Sequence, residues 1–214
     1  MALSKVNFNS LNLTPTASKT VVFNSNNNGI EAGDVGGAMT LISTQTASSS
    51  ATIDFTSGID STYKEYIFKF YDIHPATDQT DFTFQTDTGT NTNYNQTITS
   101  TNFYAFHSEG DFTTLTYNTA DDQAQGTSFQ PLITDMGNAN DESWVGSLQL
   151  FAPSSTIFVK HFISRMQGYN GVNAGSLDMY TAGYINTTTA LTRVQFKMSS
   201  GNIDSGVIKL YGVN

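Results

Sequence analysis

The sequence predicts an all-β protein, an antiparallel β-sandwich or jelly roll with an N-terminal extended arm. Three observations predict it. Thr (31), Ser (22) and Asn (19) together make 72 of the 214 residues, and Thr favours pleated strands whereas Asn and Ser favour turns. Apolar and polar residues alternate with period two in one short run after another, separated by turn-forming residues. Phe (15) and Tyr (10), within 38% hydrophobic residues, are enough to fill a core and argue against disorder. A chain of 214 residues of this kind is expected to form one large β domain rather than two.

Residues 1–37 stand apart from the rest. VNFNSLNL and TVVF are short apolar-containing pieces separated by Thr-Pro and followed by NSNNNGIEAGDVGG. In that run Asn27, Asn28 and Gly29 favour a turn, and Gly33, Gly36 and Gly37 loosen the backbone. We read this segment as an attachment arm whose Val6, Phe8, Leu11, Leu13, Val21 and Phe23 order against a partner. Residues 38–214 are the expected β-sandwich domain. MTLIST and SATIDFT predict a hairpin that turns across Ala47 to Ser49. Tyr63 to Ile73 (YKEYIFKFYDI) is the longest aromatic strand, with Tyr66, Phe68 and Phe70 on one face and Ile67, Tyr71 and Ile73 on the other. Both faces are therefore at least partly covered. His74-Pro75 ends it, because proline donates nothing to a ladder and restricts the residue before it.

DFTFQT follows, then the polar loop TDTGTNTNYN, then ITSTNFYAF and DFTTLTYN. Ala120 to Gly126 (ADDQAQG) is acidic, too short for an independent helix, and expected to be a loop. TSFQPLIT, SWVGSLQLF, TIFVKHFISRM and SLDMYTAGYI continue the series of strands. At the end, Val194, Phe196 and Met198 alternate with Arg193, Gln195 and Lys197, and SSGNIDSG turns the chain into VIKLYGV, which predicts a terminal β-hairpin. Roughly ten to twelve strands result, more than the eight of a jelly roll, and the excess is assigned to sheet edges or to the arm.

Charge and motifs exclude several functions. The net charge of −9, with nine scattered Lys and Arg, argues against a nucleic-acid partner. Without Cys there are no disulfides or thiolate metal sites. MALSKVNFNSLNL lacks the apolar core of a signal peptide, and no run of apolar residues is long enough to span a bilayer, so we expect synthesis in a cytoplasm and no membrane insertion. His74, His107 and His161 fall in no paired-ligand spacing and are expected to be structural. No nucleophile elbow, P-loop or dinucleotide fingerprint occurs, so no catalytic residue, cofactor or metal is assigned.

Asp121, Asp122, Asp135, Asp141 and Glu142 come nearest to an acidic cluster, and a glycan hydrolase would need two of them at a defined separation. The DMGNAND stretch has oxygen ligands of the kind Ca²⁺ accepts but not the spacing of a calcium hand, and loop capping is the preferred reading. Tyr94, Tyr169 and Tyr180 are candidate contacts for a glycan or receptor, since sugars lie on aromatic faces; the alternative for Tyr94 and Tyr169 is that they cover the core at strand ends. Trp144, the single tryptophan, is expected in the core.

Taken together, MTLISTQTASSSATIDFTSGIDSTYKEYIFKFYDIHPATD, WVGSLQLFAPSSTIFVKHFISRM and ALTRVQFKMSSGNIDSGVIKLYGV resemble virion structural proteins of tailed bacteriophages, including marine ones. The resemblance covers Ala38 to Val213, and its most specific pieces are SSSATIDFTSGIDSTYKEY and SSGNIDSGVIKLYG. It implies a β-sandwich or jelly-roll body presented on the particle as a head decoration, fibre or tail tip, often as a homotrimer. MALSKVNFNSLNL is similar to the attachment segments that begin such proteins, so capsid or tail proteins are the implied partners, with host surface glycan as a further one. The chain lacks the long repetitive shaft of many fibres, which fits a compact decoration or short fibre. The expected function is a non-enzymatic virion protein; a host-receptor or glycan-binding module is the alternative, and a glycan hydrolase comes third.

Overall fold

The computed structural model describes residues 20–23, 29–33 and 39–214. The chain divides into two units, one up to Ala38 and one from Met39. In the first, β1 (Thr20–Phe23) and β2 (Ile30–Gly33) form an antiparallel hairpin with Thr20 opposite Gly33 and Phe23 opposite Ile30. Val6, Phe8, Leu11 and Leu13 of the expected arm lie outside the described residues. Val21 and Phe23 fall on β1, and both are exposed.

The second unit is all β among the described residues. Its strands are β3 (Thr40–Ser50), β4 (Ile53–Phe55), β5 (Glu65–Pro75), β6 (Thr80–Thr88), β7 (Ile98–Ser108), β8 (Thr113–Tyr117) and β9 (Ala124–Gly126), continuing with β10 (Gln130–Met136), β11 (Trp144–Phe151), β12 (Lys160–Asn170), β13 (Gly175–Ile185), β14 (Leu191–Met198) and β15 (Ile203–Val213). A four-stranded antiparallel sheet runs β10-β6-β14-β4 and a nine-stranded one β3-β15-β5-β11-β12-β13-β7-β8, with β9 also on β7. Within these, β3-β15-β5-β11 and β4-β14-β6-β10 are the two sheets of a jelly roll, with its eight strands used in chain order. The other five strands are insertions. β7 to β9 enter between β6 and β10, β12 and β13 enter between β11 and β14, and all five lengthen the larger sheet beyond β11.

Four local expectations are corrected. β3 runs straight through Ala47 to Ser49, where a hairpin was expected, and β3 and β4 lie in different sheets. The terminal hairpin is likewise absent: β14 sits between β6 and β4 in the small sheet, whereas β15 sits between β3 and β5 in the large one. Alternation marks a strand but not its neighbour, and both are central strands with buried faces. On β5, Ile73 is buried with Tyr66, Phe68 and Phe70, while Tyr71 is exposed. Asp72 adopts a left-handed φ of 49° and shifts the alternation by one residue, so the face changes within the strand. Finally, the Ala120 to Gly126 segment contains the short strand β9.

The two sheets enclose an aromatic core. Phe196 on β14 is its hub, 6.1 Å from Phe55, 5.2 Å from Phe68, 5.3 Å from Phe70 and 5.6 Å from Phe82 between ring centroids. Trp144 is fully buried at the start of β11. β6 is buried on both faces: Phe82 and Phe84 point into the core, and the opposite face is closed by Gln85, whose Nε2 donates to the carbonyls of Gln96, Thr127 and Ser128.

Candidate functional site

The unequal widths of the two sheets create the main concavity of the body. Beyond β11 the large sheet extends past the small one; β10, the edge of the small sheet, packs across β12 and β13, and Phe84 of β6 meets Phe162 of β12 edge-to-face. A buried polar network ties that edge down at one end: Gln130 Oε1 accepts from Ser100 Oγ (2.7 Å) and Gln123 Nε2 (3.2 Å), and Gln130 Nε2 donates to the Asp121 carbonyl (2.7 Å). Toward the other end the layers part around a cleft of about 720 Å³, within the usual range of small-molecule sites.

One wall of the cleft is the inner face of the overhang, with Tyr104 and Phe106 of β7, Leu177 and Met179 of β13, and Phe112 before β8. The facing wall is polar: Asp81 from β6, Thr134 and Asp135 from β10, and Asn118 and Asp121 from the segment between β8 and β9. Asp135 N–H donates to Asp81 Oδ1 at 3.3 Å, with Asp135 itself in a left-handed conformation (φ 55°). Asn118 Nδ2 donates to Asp121 Oδ2. Burial, reinforced by the negative charges of Asp81 and Asp135, pushes the Asp121 carboxyl up to about 6. Burial also raises Asp81. Asn170, only 3% exposed, lines the cleft as well; its Oδ1 accepts from the Asn173 N–H, whereas its Nδ2 has no hydrogen-bond partner among the described residues.

The three tyrosines singled out from the sequence are not brought together. Tyr94 does not project from its loop: it is 5% exposed, and its N–H donates to Asp87 Oδ2 at 2.9 Å. It covers the core, as the alternative reading had it. Tyr169 is half-buried near the end of β12, over a shallow hollow shared with His107 and Glu109. Tyr180 lies mid-strand on the outer face of β13, where Phe103 of β7 stacks on its ring (5.0 Å, 2° between planes) and the Arg165 guanidinium of β12 lies 5.0 Å from the ring centre. With a neighbour from each flanking strand, that ring has no free face for a sugar.

The acidic residues divide as well. Asp121 and Asp135 line the cleft, Asp122 accepts from the Tyr117 hydroxyl at 2.6 Å, and Asp141 and Glu142 border a separate hollow beside His74. The DMGNAND stretch therefore does not converge on one point. Among the described residues, no three His, Cys, Asp or Glu side chains are grouped so as to hold a metal ion. Sequence reasoning missed Asp81, Tyr104, Phe106 and Asn170, which only the pairing of distant strands brings to the cleft. Comparison with protein-family profiles, curated proteins and solved structures returns no match.

Proposed function

We propose that the chain is a non-enzymatic structural protein of a tailed-bacteriophage virion, surface-exposed and oligomeric, assembled in the host cytoplasm and fastened to capsid or tail through residues 1–37. It serves as a head decoration or short fibre. The observation that carries this reading is the β1–β2 hairpin. Two strands of four residues each, in a unit of their own and with Val21 and Phe23 exposed, bury too little to be stable alone and call for a partner surface. Self-association, as a homotrimer, draws support from Phe103, Leu115, Tyr117 and Ile163, large apolar side chains exposed on the outer face of the nine-stranded sheet. Deleting residues 2–37 tests the reading: the body should fold and the truncated protein should be missing from purified particles. Normal incorporation of the truncated protein would refute it, and so would an unfolded body.

A second reading, binding of host-surface glycan by the body, is favoured by the cleft, where an aromatic wall faces hydrogen-bonding side chains across a space of small-molecule size. It predicts that the truncated body retains binding to host cells and that Tyr104→Ala weakens it.

A further inference from the structure

We propose that the cleft takes a sugar unit carrying a free ammonium group, a hexosamine whose ring lies on Tyr104 and Phe106 and whose nitrogen meets Asp121 and Asp135. The inference rests on the glycan-binding reading and adds the chemical class of the ligand.

Charge is the first argument. Three carboxylates line the cleft (Asp81, Asp121 and Asp135), and no Lys, Arg or His lines it with them. Uronates, sialic acids and phosphorylated sugars would bring a further negative charge into a partly desolvated space that already resists ionisation of its own acids, a cost that no lining cation offsets. A ligand cation relieves the same repulsion. A bound metal ion is a poorer answer, since the acidic side chains are not grouped as a metal site.

The unpaired amide is the second argument, and it is independent of the first. Asn170 is 3% exposed and lines the cleft; its Oδ1 is taken by the Asn173 N–H, and its Nδ2 has no protein acceptor among the described residues. A donor that the protein leaves without an acceptor is open to an oxygen of a ligand. The Asn170 amide thus offers the cleft a donor for a ring hydroxyl, separate from the carboxylates. Tyr104 and Phe106 supply the flat apolar surface against which the C–H face of a pyranose packs. A ligand that is cationic at one edge, hydroxylated at another and apolar on a face satisfies all three parts of the lining.

The test uses the full chain and three oligosaccharide probes of equal length, followed by calorimetry and saturation-transfer NMR near neutral pH: glucosamine, N-acetylglucosamine and galacturonate oligomers. Glucosamine oligomers should bind, and the other two at least tenfold more weakly. Asp121→Asn and Asp135→Asn should each cost the glucosamine probe about tenfold, equivalent to one charge-assisted contact of roughly 1.4 kcal/mol, while Asn170→Ala, which removes the donor and adds no charge, should weaken it with the carboxylates intact. Each variant is compared at matched folding, shown by its amide NMR spectrum. Equal binding of the N-acetylated probe, with Tyr104→Ala still lowering it, would overturn the ammonium assignment and leave glycan binding standing. Preference for galacturonate would overturn the assignment outright. Absence of binding by all three probes would overturn the hexosamine assignment, and if the body also fails to bind host cells, the glycan-binding reading on which the inference rests falls with it.

Discussion

Replacing Asp121 with Asn should stabilise the body, and the gain should depend on pH. Folded Asp121 titrates at about 6 rather than 3.8, because burial and the neighbouring Asp81 and Asp135 charges disfavour its ionised form. The folded state thus holds this proton more tightly than the unfolded state. Between about pH 4 and 6 the folded state carries the extra proton, so stability falls as pH rises through that window and is lower by a constant amount above it. A shift of about 2 pH units corresponds to roughly 3 kcal/mol as a ceiling. The carboxyl is only about half buried, and solvent screening lowers the expected penalty to about 1 kcal/mol. Asp121→Asn removes it, so the variant should melt about 2–4 °C above the wild type near pH 8 and converge with it near pH 4. Thermal melts followed by circular dichroism across that range decide the matter. A difference between variant and wild type that does not vary with pH, or a variant less stable near pH 8, would refute the electrostatic account of the cleft.

Three further perturbations probe the frame. Phe196→Ala removes the ring that touches four other aromatics and should cost about 3–5 kcal/mol, near 10 °C in melting temperature; Phe196→Leu should recover most of it. Gly168→Ala places a methyl 2.3 Å from the Trp144 ring and 2.7 Å from the Ser143 carbonyl, so it should destabilise by about 1–3 kcal/mol and shift the fluorescence of this single tryptophan; an unchanged spectrum would contradict that close contact. Lys160 is buried with its Nζ donating to the carbonyls of Phe158 and Thr187, both at 3.0 Å, and burial lowers its pKa. Lys160→Ala leaves both carbonyls without this donor and should cost about 2–3 kcal/mol by denaturant melts, whereas a loss below about 0.5 kcal/mol would mean that water replaces the ammonium freely.

Strand existence was legible in the sequence, and strand partnership was not. The alternation in LTRVQFKM and VIKLYGV marks two strands correctly, yet these belong to opposite sheets, because a period of two states which residues share a face and is silent about the neighbour across the ladder. YKEYIFKFYDI shows the same limit within one strand: a single left-handed residue, Asp72, resets the faces, and no neighbouring Gly or Asn announces it. The cleft was legible only in fragments. Asp121 and Asp135 drew notice as part of an acidic stretch, but Asp81 and Asn170 lie far from them in sequence and meet them through the small sheet and the inserted strands. Tyr94 misled because a tyrosine among Asn and Thr looks solvent-facing, whereas it is buried beside Asp54 and Arg193.

The insertions, rather than the jelly roll that hosts them, determine where a ligand can sit. Four strands cannot cover nine, so lengthening one sheet by β12, β13, β7, β8 and β9 necessarily leaves part of its inner face without a facing layer. Elsewhere such a face would expose apolar surface to water. Here β10 and the Asn118–Asp121 segment come over it at a distance, and the gap becomes a cleft with an apolar floor and a polar roof. The floor is rigid for a reason visible in the register: Lys209, Lys69, Ser147, Arg165, Tyr180, Phe103 and Tyr117 face one another in an unbroken row from β15 through β5, β11, β12, β13 and β7 to β8. The inserted strands are therefore hydrogen-bonded continuations of the jelly-roll sheet, and Tyr104 and Phe106 of β7 pack, partly buried, against its core. The roof depends instead on one edge strand and a short connection anchored by Gln130. Such a site should tolerate changes in sugar linkage more readily than changes in sugar charge, since an added negative charge meets Asp81, Asp121 and Asp135 with no Lys, Arg or His in the lining to offset it.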